Sequence, residues 1–153
     1  MANVYEPEWD AAQDNPPFRW RRARLGRQAG AQKLGASLFE LPPGCATFPL
    51  HVHHANEEMI VVLSGRPSLR TLDADHLLEP GDVVACPAGP AGAHRLDNDA
   101  GETARVLIVS TMRAPEINEF PGTGEVWARS YAPGTDPGPD SVDLRGPAQR
   151  HDR

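Results

Sequence analysis

Apolar residues along this chain come in short runs, and Gly, Pro and Asp separate the runs at regular intervals. The segments 18–25 and 36–41 read as strands, the second closed by Pro42-Pro43-Gly44. Further segments follow at 45–53, 58–63, 68–72, 76–78, 82–86, 93–96 and 103–111. Ser64-Gly65, Asp73-Ala74-Asp75, Pro80-Gly81, Pro87 to Gly92 and Asp97 to Gly101 supply the turns. Many short strands at this spacing predict an all-β sandwich or barrel.

Two of these segments, Met59-Ile60-Val61-Val62-Leu63 and Val106-Leu107-Ile108-Val109, are apolar at every position rather than at alternate ones. A strand of that kind is covered on both faces. On the segment 45–53, alternation turns Thr47, Pro49, His51 and His53 inward and leaves Phe48, Leu50 and Val52 outside, where they add to the outer apolar surface. A second subunit or the N-terminal arm is expected to pack on that surface, and a homodimer is the expected assembly.

Residues 1–17, with Asp, Asn, Gln and Pro16-Pro17, read as an arm without regular structure of its own. The strand-like region spans 18–130, and after Met112 only Glu125 to Ser130 keeps strand character. From Pro133 onward, Pro, Gly and scattered charges leave too little apolar surface to offset the entropy of ordering, so residues 131–153 are expected to be a disordered tail.

A length of 153 residues suits one domain with a real core, and 16 Pro with 14 Gly fit short strands better than long helices. The net charge of −6, from 21 acidic and 15 basic residues, offers no general attraction for nucleic-acid phosphates or anionic lipid. Neither nucleic acid nor membrane is an expected partner. The start lacks a basic region followed by an apolar one, and no apolar run approaches the length of a span, so a cytoplasmic location is expected. Cys45 and Cys86, outside any Cys-x-x-Cys spacing, read as reduced, buried thiols.

The chemistry concentrates in His51-Val52-His53, Glu58 and His94. Residues two apart on a strand share a face, so His51 and His53 project together, and the next strand brings Glu58 alongside. Three neutral imidazoles and a carboxylate suit a divalent first-row ion with positions left open for water or substrate. Cys45 shares the parity of His51 but lies roughly 20 Å away along an extended strand, too far to bind the same ion.

These residues resemble the two signature motifs of the cupin superfamily. Gly44, His51, His53, Glu58 and Gly65 fill the first, with six rather than five residues after the opening Gly. Gly81, Pro87, Gly89, His94 and Asn98 fill the second, with four residues rather than two before the His. The match spans residues 36–111 and is similar to small single-domain bacterial cupins, some described as sugar-phosphate isomerase-like. The resemblance implies an antiparallel jelly-roll β-barrel of six to eight strands. It also implies metal ligands at His51, His53, Glu58 and His94; by ligand chemistry and availability the ion is one of Zn, Fe, Mn or Ni, among which the sequence does not choose. Glu57 could replace Glu58, but the six residues from Glu58 to Gly65 favour Glu58.

Arg19, Arg21, Arg22, Arg24 and Arg27 could bind an anionic substrate or a nucleic-acid backbone, but on an acidic chain with no helix-turn-helix pattern they read rather as the solvated face of an edge strand. His54 and Glu57 read as solvated groups or as groups that orient the ligands. Trp9, Trp20 and Trp127 lie outside both motifs and receive no role. The expected function is binding of, or action on, a small polar metabolite at the metal, isomerase-like or dioxygenase-like; the alternative is non-catalytic binding of a sugar or carboxylate. Only Glu57, His54 and Thr47 stand near the motifs as possible general acids or bases, and no catalytic residue is assigned.

Overall fold

A computed structural model describes residues 1–149. Its strands in chain order are β1 (Ala11–Asn15), β2 (Phe18–Ala23), β3 (Gly35–Leu41), β4 (Cys45–Ala46), β5 (Val52–His53), β6 (Glu58–Ser64) and β7 (Ser68–Arg70). They continue with β8 (Asp75–Leu77), β9 (Val83–Cys86), β10 (Arg95–Asn98), β11 (Ala104–Ser110), β12 (Glu116–Phe120), β13 (Glu125–Arg129) and β14 (Asp143–Pro147). A single-turn helix, α1 (Leu25–Gln28), follows β2, and a 3-10 turn occupies Pro90–Gly92.

Among the described residues the strands form two sheets. The larger runs β8-β7-β10-β4-β2-β3-β11-β6-β9, with β1 paired to β2, and the smaller runs β14-β13-β12-β5. Pairing is antiparallel except for one parallel contact of Phe18 with Ala46, between β2 and β4. This is the all-β, curled-sheet architecture expected from the strand pattern.

The two wholly apolar segments become β6 and β11, hydrogen-bonded side by side with Ile60 opposite Ile108 and Val62 opposite Val106. Their inward side chains join Trp20, Phe39, Leu41, Leu69 and Leu96 in one buried core. Each fully buried aliphatic side chain there contributes roughly 1.5–3 kcal/mol. On the outer face, Leu63 and Leu107 pack with Ala23, Leu25 and Leu38 beneath Ala2, Val4 and Trp9. The N-terminal arm therefore covers part of the outer apolar surface, while Met59 and Val83 stay 41% and 60% exposed.

Several details differ from the sequence reading. Within the arm, residues 11–15 form β1, because Ala11–Asn15 pairs along β2 and Pro16-Pro17 makes the turn between them. β2 is consequently not an edge strand, since β3 and β4 flank it as well. The tail carries β14, which pairs along β13, and its last four residues lie outside the described ones. The segment 45–53 is broken into β4 and β5 by bends over 47–50, so parity fails there. Phe48 turns inward, its ring 5.3 Å from Trp20 and 5.7 Å from Phe39.

Gly65 ends β6 at φ +75°, where a Cβ would stand 2.6 Å from the Ala104 Cα. Gly65→Ala therefore has both a strained backbone and a clash with main chain that cannot rotate away. It is expected to cost about 2 kcal/mol or more, measured by urea unfolding against wild type.

Candidate metal centre

Neighbouring strands carry the four candidate ligands to one point. His53 ends β5, Glu58 begins β6, and His51 and His94 face each other across an isolated antiparallel bridge. One ligand atom from each of His51, His53, Glu58 and His94 lies within 4.8 Å of all the others. Nε2 of His51 and Nε2 of His53 are 3.1 Å apart, and Oε2 of Glu58 is 3.1 Å from Nε2 of His94 and 3.7 Å from Nε2 of His53. All three imidazoles are buried. The backbone of Glu57 pairs with Thr111 and its side chain is exposed, so Glu58 is the carboxylate at this point.

What turns each Nε2 inward is a bond at the opposite nitrogen. Nδ1 of His51 donates to the Pro49 carbonyl and Nδ1 of His94 to the Gly92 carbonyl, each at 2.9 Å. A carbonyl only accepts, so Nδ1 carries the proton in both rings and Nε2 is the nitrogen free to ligate. The two extra residues before His94 are absorbed by the 3-10 turn that supplies Gly92. That turn packs so tightly that a Cβ on Gly92 would fall 1.8 Å from the Pro87 oxygen.

His53 is served in either tautomer. Its Nδ1 lies 3.3 Å from Oε2 of Glu116, an acceptor, and 2.9 Å from Nδ2 of Asn118, a donor. Asn118 is held in that orientation because its Oδ1 accepts from Arg129. Without an ion, His53 Nε2–H can donate to His51 Nε2 while Nδ1 accepts from Asn118. With Nε2 directed to an ion, Nδ1–H donates to Glu116 instead.

Glu116 is a fully buried carboxylate that the sequence reading missed, as it missed Asn56, Asn118 and Arg129. Its Oε1 accepts from the backbone N–H groups of Ala55 at 3.3 Å and Ile117 at 2.9 Å, and its Oε2 also accepts from Asn56 Nδ2. Burial works against its charge, but the bonds from His53 and Asn56 outweigh it and hold the carboxyl below the usual range. The detectable signal was the alternation in Glu116-Ile117-Asn118-Glu119-Phe120, which puts Glu116, Asn118 and Phe120 on one face. His54, near the ligands in sequence, pairs with Glu119 at 3.1 Å.

In the cluster as it stands, burial and the neighbouring His94 and His53 push His51 down to about 3. Burial also opposes charge on His94, but its bonds to Cys86 and Glu58 prevail and push it up to about 10. At neutral pH the metal-free cluster thus holds a His94 imidazolium against the Glu58 carboxylate. An ion must displace that proton. Metal uptake is expected to release about one proton per ion between about pH 7 and 9, with apparent affinity rising about tenfold per pH unit until His94 loses its proton near pH 10. Metal titration in weakly buffered solution with a pH-stat checks the count, and release near zero would contradict it.

The cluster opens into a cavity of about 430 Å³ between the two sheets. Phe39, Phe48 and Phe120 give it an apolar wall, and Trp127, Arg129 and Tyr131 close it from the C-terminal side. Trp127 thus has a place in the cavity wall that the motifs gave no reason to expect. Thr47 lines the cavity too, but its hydroxyl lies 3.4 Å from both the N–H and the carbonyl of Leu96.

Residues 37–110 match the cupin domain. No curated protein matches the chain. Among solved structures, a protein of Acidithiobacillus ferrooxidans proposed as a sugar phosphate isomerase is 25% identical with a TM-score of 0.74, over 91% of this chain and 84% of that one. A sugar phosphate isomerase of the cupin superfamily from Silicibacter pomeroyi superposes with a TM-score of 0.78 at 22% identity, over 95% of this chain and 92% of that one. A polyketide cyclase of Streptomyces resistomycificus reaches 0.62 at 24% identity, over 76% and 82% of the respective chains.

Proposed function

The chain is a small cupin-domain protein, and on that premise we propose that it holds one divalent transition-metal ion at His51, His53, Glu58 and His94 and acts as an enzyme on a small polar metabolite bound beside it. The observation that carries this reading is the convergence of four ligand atoms within 4.8 Å at the wall of a cavity large enough for such a molecule. Three imidazoles with their outer nitrogens bonded, and one carboxylate, fit Zn, Fe, Mn or Ni and leave coordination positions for a ligand. The ion would supply Lewis acidity toward a carbonyl or enediolate oxygen, or a dioxygen site if it is iron.

The residues of the chain itself do the positioning. Pro49, Gly92 and Glu116 fix the imidazoles, while Phe39, Phe48 and Phe120 give the cavity an apolar side against which a ligand can pack. Isomerase-like action is the version favoured by the likeness to the Acidithiobacillus protein. One observation favours non-catalytic binding as a second reading: the titratable groups lining the cavity, apart from the ligands, are Arg22, Arg129 and Tyr131. The Tyr131 hydroxyl donates to Asp143, a bond that raises its pKa and keeps it protonated.

The test is elemental analysis of protein purified without an affinity tag, followed by screening of metal-replete protein against sugar phosphates, keto acids and catechols. Product formation supports the enzyme. Saturable binding with no product favours the binder, and protein that retains no ion defeats the metal-dependent enzyme. The proposal also takes in a cytoplasmic location, in keeping with two unpaired cysteines, and a homodimer that covers Met59 and Val83. Light scattering measures the assembly.

A further inference from the structure

Of the five arginines clustered near the N-terminus, four meet carboxylates: Arg19 meets Asp14, Arg21 meets Glu40, Arg24 meets Asp10, and Arg27 meets Asp136. Arg22 does not. It turns into the cavity, its guanidinium carbon 5.7 Å from the Trp20 ring and 6.0 Å from the Phe39 ring, and its Nε is buried without a hydrogen-bond partner. Arg129 enters the same cavity from β13, stacked 4.2 Å over Trp127, and its Nε is likewise buried and unpartnered. Each sheet thus contributes one guanidinium to the space between them.

Both guanidiniums are partly buried, and the carboxylates that act on them, Asp10 on Arg22 and Glu116 and Asp143 on Arg129, do not offset that burial, which depresses the pKa of both groups. Two such costs at one cavity call for an explanation outside the folded chain. Glu58, turned toward the imidazoles, is the carboxylate that lines this cavity. A chain of net charge −6 therefore encloses a basic chamber. The hydroxyl of Ser110, opposite Glu58 on β11, also lines the chamber and is buried without a partner. These unfilled donors converge on the space where a ligand would lie.

We propose that Arg22 and Arg129 determine specificity by clamping the anionic group, a carboxylate or a phosphate, of the metabolite bound in this cavity, with Ser110 adding a hydrogen bond. This rests on the reading of the cavity as the substrate site. Planar guanidinium forks match the paired oxygens of both groups, and charge-assisted bonds in a cavity walled by aromatic rings are stronger than those at the surface. Hydrocarbons would leave both buried Nε donors unfilled, and neutral sugars would fill them without the charge.

The test is calorimetric titration of the full chain, metal-stripped and then zinc-loaded, with inorganic phosphate, with succinate and with glycerol as the neutral control. Wild type is expected to bind phosphate or succinate at one site, in preference to glycerol, and more weakly as potassium chloride rises. Phosphate alone would identify a phosphoryl ligand, succinate alone a carboxylate. R22M and R129K are each expected to weaken that binding at least about tenfold. The melting temperature of R22M should equal or exceed that of wild type, because a partly buried charge with an unfilled Nε donor has been removed; a purely structural Arg22 would lower it. Anion binding no better than glycerol, or unchanged affinity in both variants, would overturn the clamp. If metal-stripped protein binds the anion but elemental analysis finds no retained ion, the metal reading fails and the clamp stands; a retained ion without anion binding gives the reverse.

Discussion

Glu116→Ala is expected to destabilise the protein by about 3–5 kcal/mol, measured by urea unfolding of metal-free protein. In the metal-free protein three donors converge on this one carboxylate, the backbone N–H groups of Ala55 and Ile117 and the Asn56 amide, and His53 Nδ1 joins them when its Nε2 faces an ion. No water reaches a side chain that is fully buried, so truncation leaves these donors without partners rather than returning them to solvent. The conservative variant separates stability from metal chemistry. Glu116→Gln keeps the volume and one accepting oxygen, but it puts an amide where His53 Nδ1–H must donate when Nε2 faces an ion. Metal affinity is expected to fall 10- to 100-fold, with a smaller loss of stability than in Glu116→Ala. Competition with a chromophoric chelator reads the affinity, and an unchanged value would remove Glu116 from the account.

The second large effect is expected from His51→Ala combined with His53→Ala. Two of four ligands are lost, and Glu58 and His94 alone make at most a weak surface-type site, so bound metal should drop from about one ion per chain to a trace. Folding is expected to survive. His51, pushed down to about 3 by its burial and its histidine neighbours, is neutral at neutral pH, so its removal strips no charge from the metal-free cluster. Elemental analysis and circular dichroism on one sample distinguish loss of the ion from loss of the fold.

The candidate ligands were legible because their signal is local: His51 and His53 two apart, Glu58 at the head of an apolar strand, His94 after a Pro- and Gly-rich turn. The strands β6 and β11 were legible for the same reason, each being a continuous apolar run between turn formers. Illegible was whatever tertiary pairing imposes on polar sequence. Ala11-Ala12-Gln13-Asp14-Asn15 has little intrinsic strand preference and becomes β1 because β2 lies open beside it. β12 turns Glu116 and Asn118 inward, where a search for apolar faces finds nothing, yet those two residues orient His53. Phe48 was misassigned because alternation holds only while the strand is continuous, and the chain bends at 47–50. Arg22 is a further case: within an Arg-rich stretch its sequence neighbours pair at the surface, and only the barrel's curvature turns it toward the cavity.

The central claim is that three imidazole nitrogens and one carboxylate oxygen surround a single ion. X-ray absorption at the metal edge of wild-type protein loaded with one equivalent of zinc tests it most directly, because outer-shell scattering from imidazole rings counts the histidines bound. Three imidazoles, light-atom neighbours and no sulfur would agree with His51, His53, Glu58 and His94 as the ligands. One imidazole or none, or a sulfur neighbour from Cys86, would contradict it.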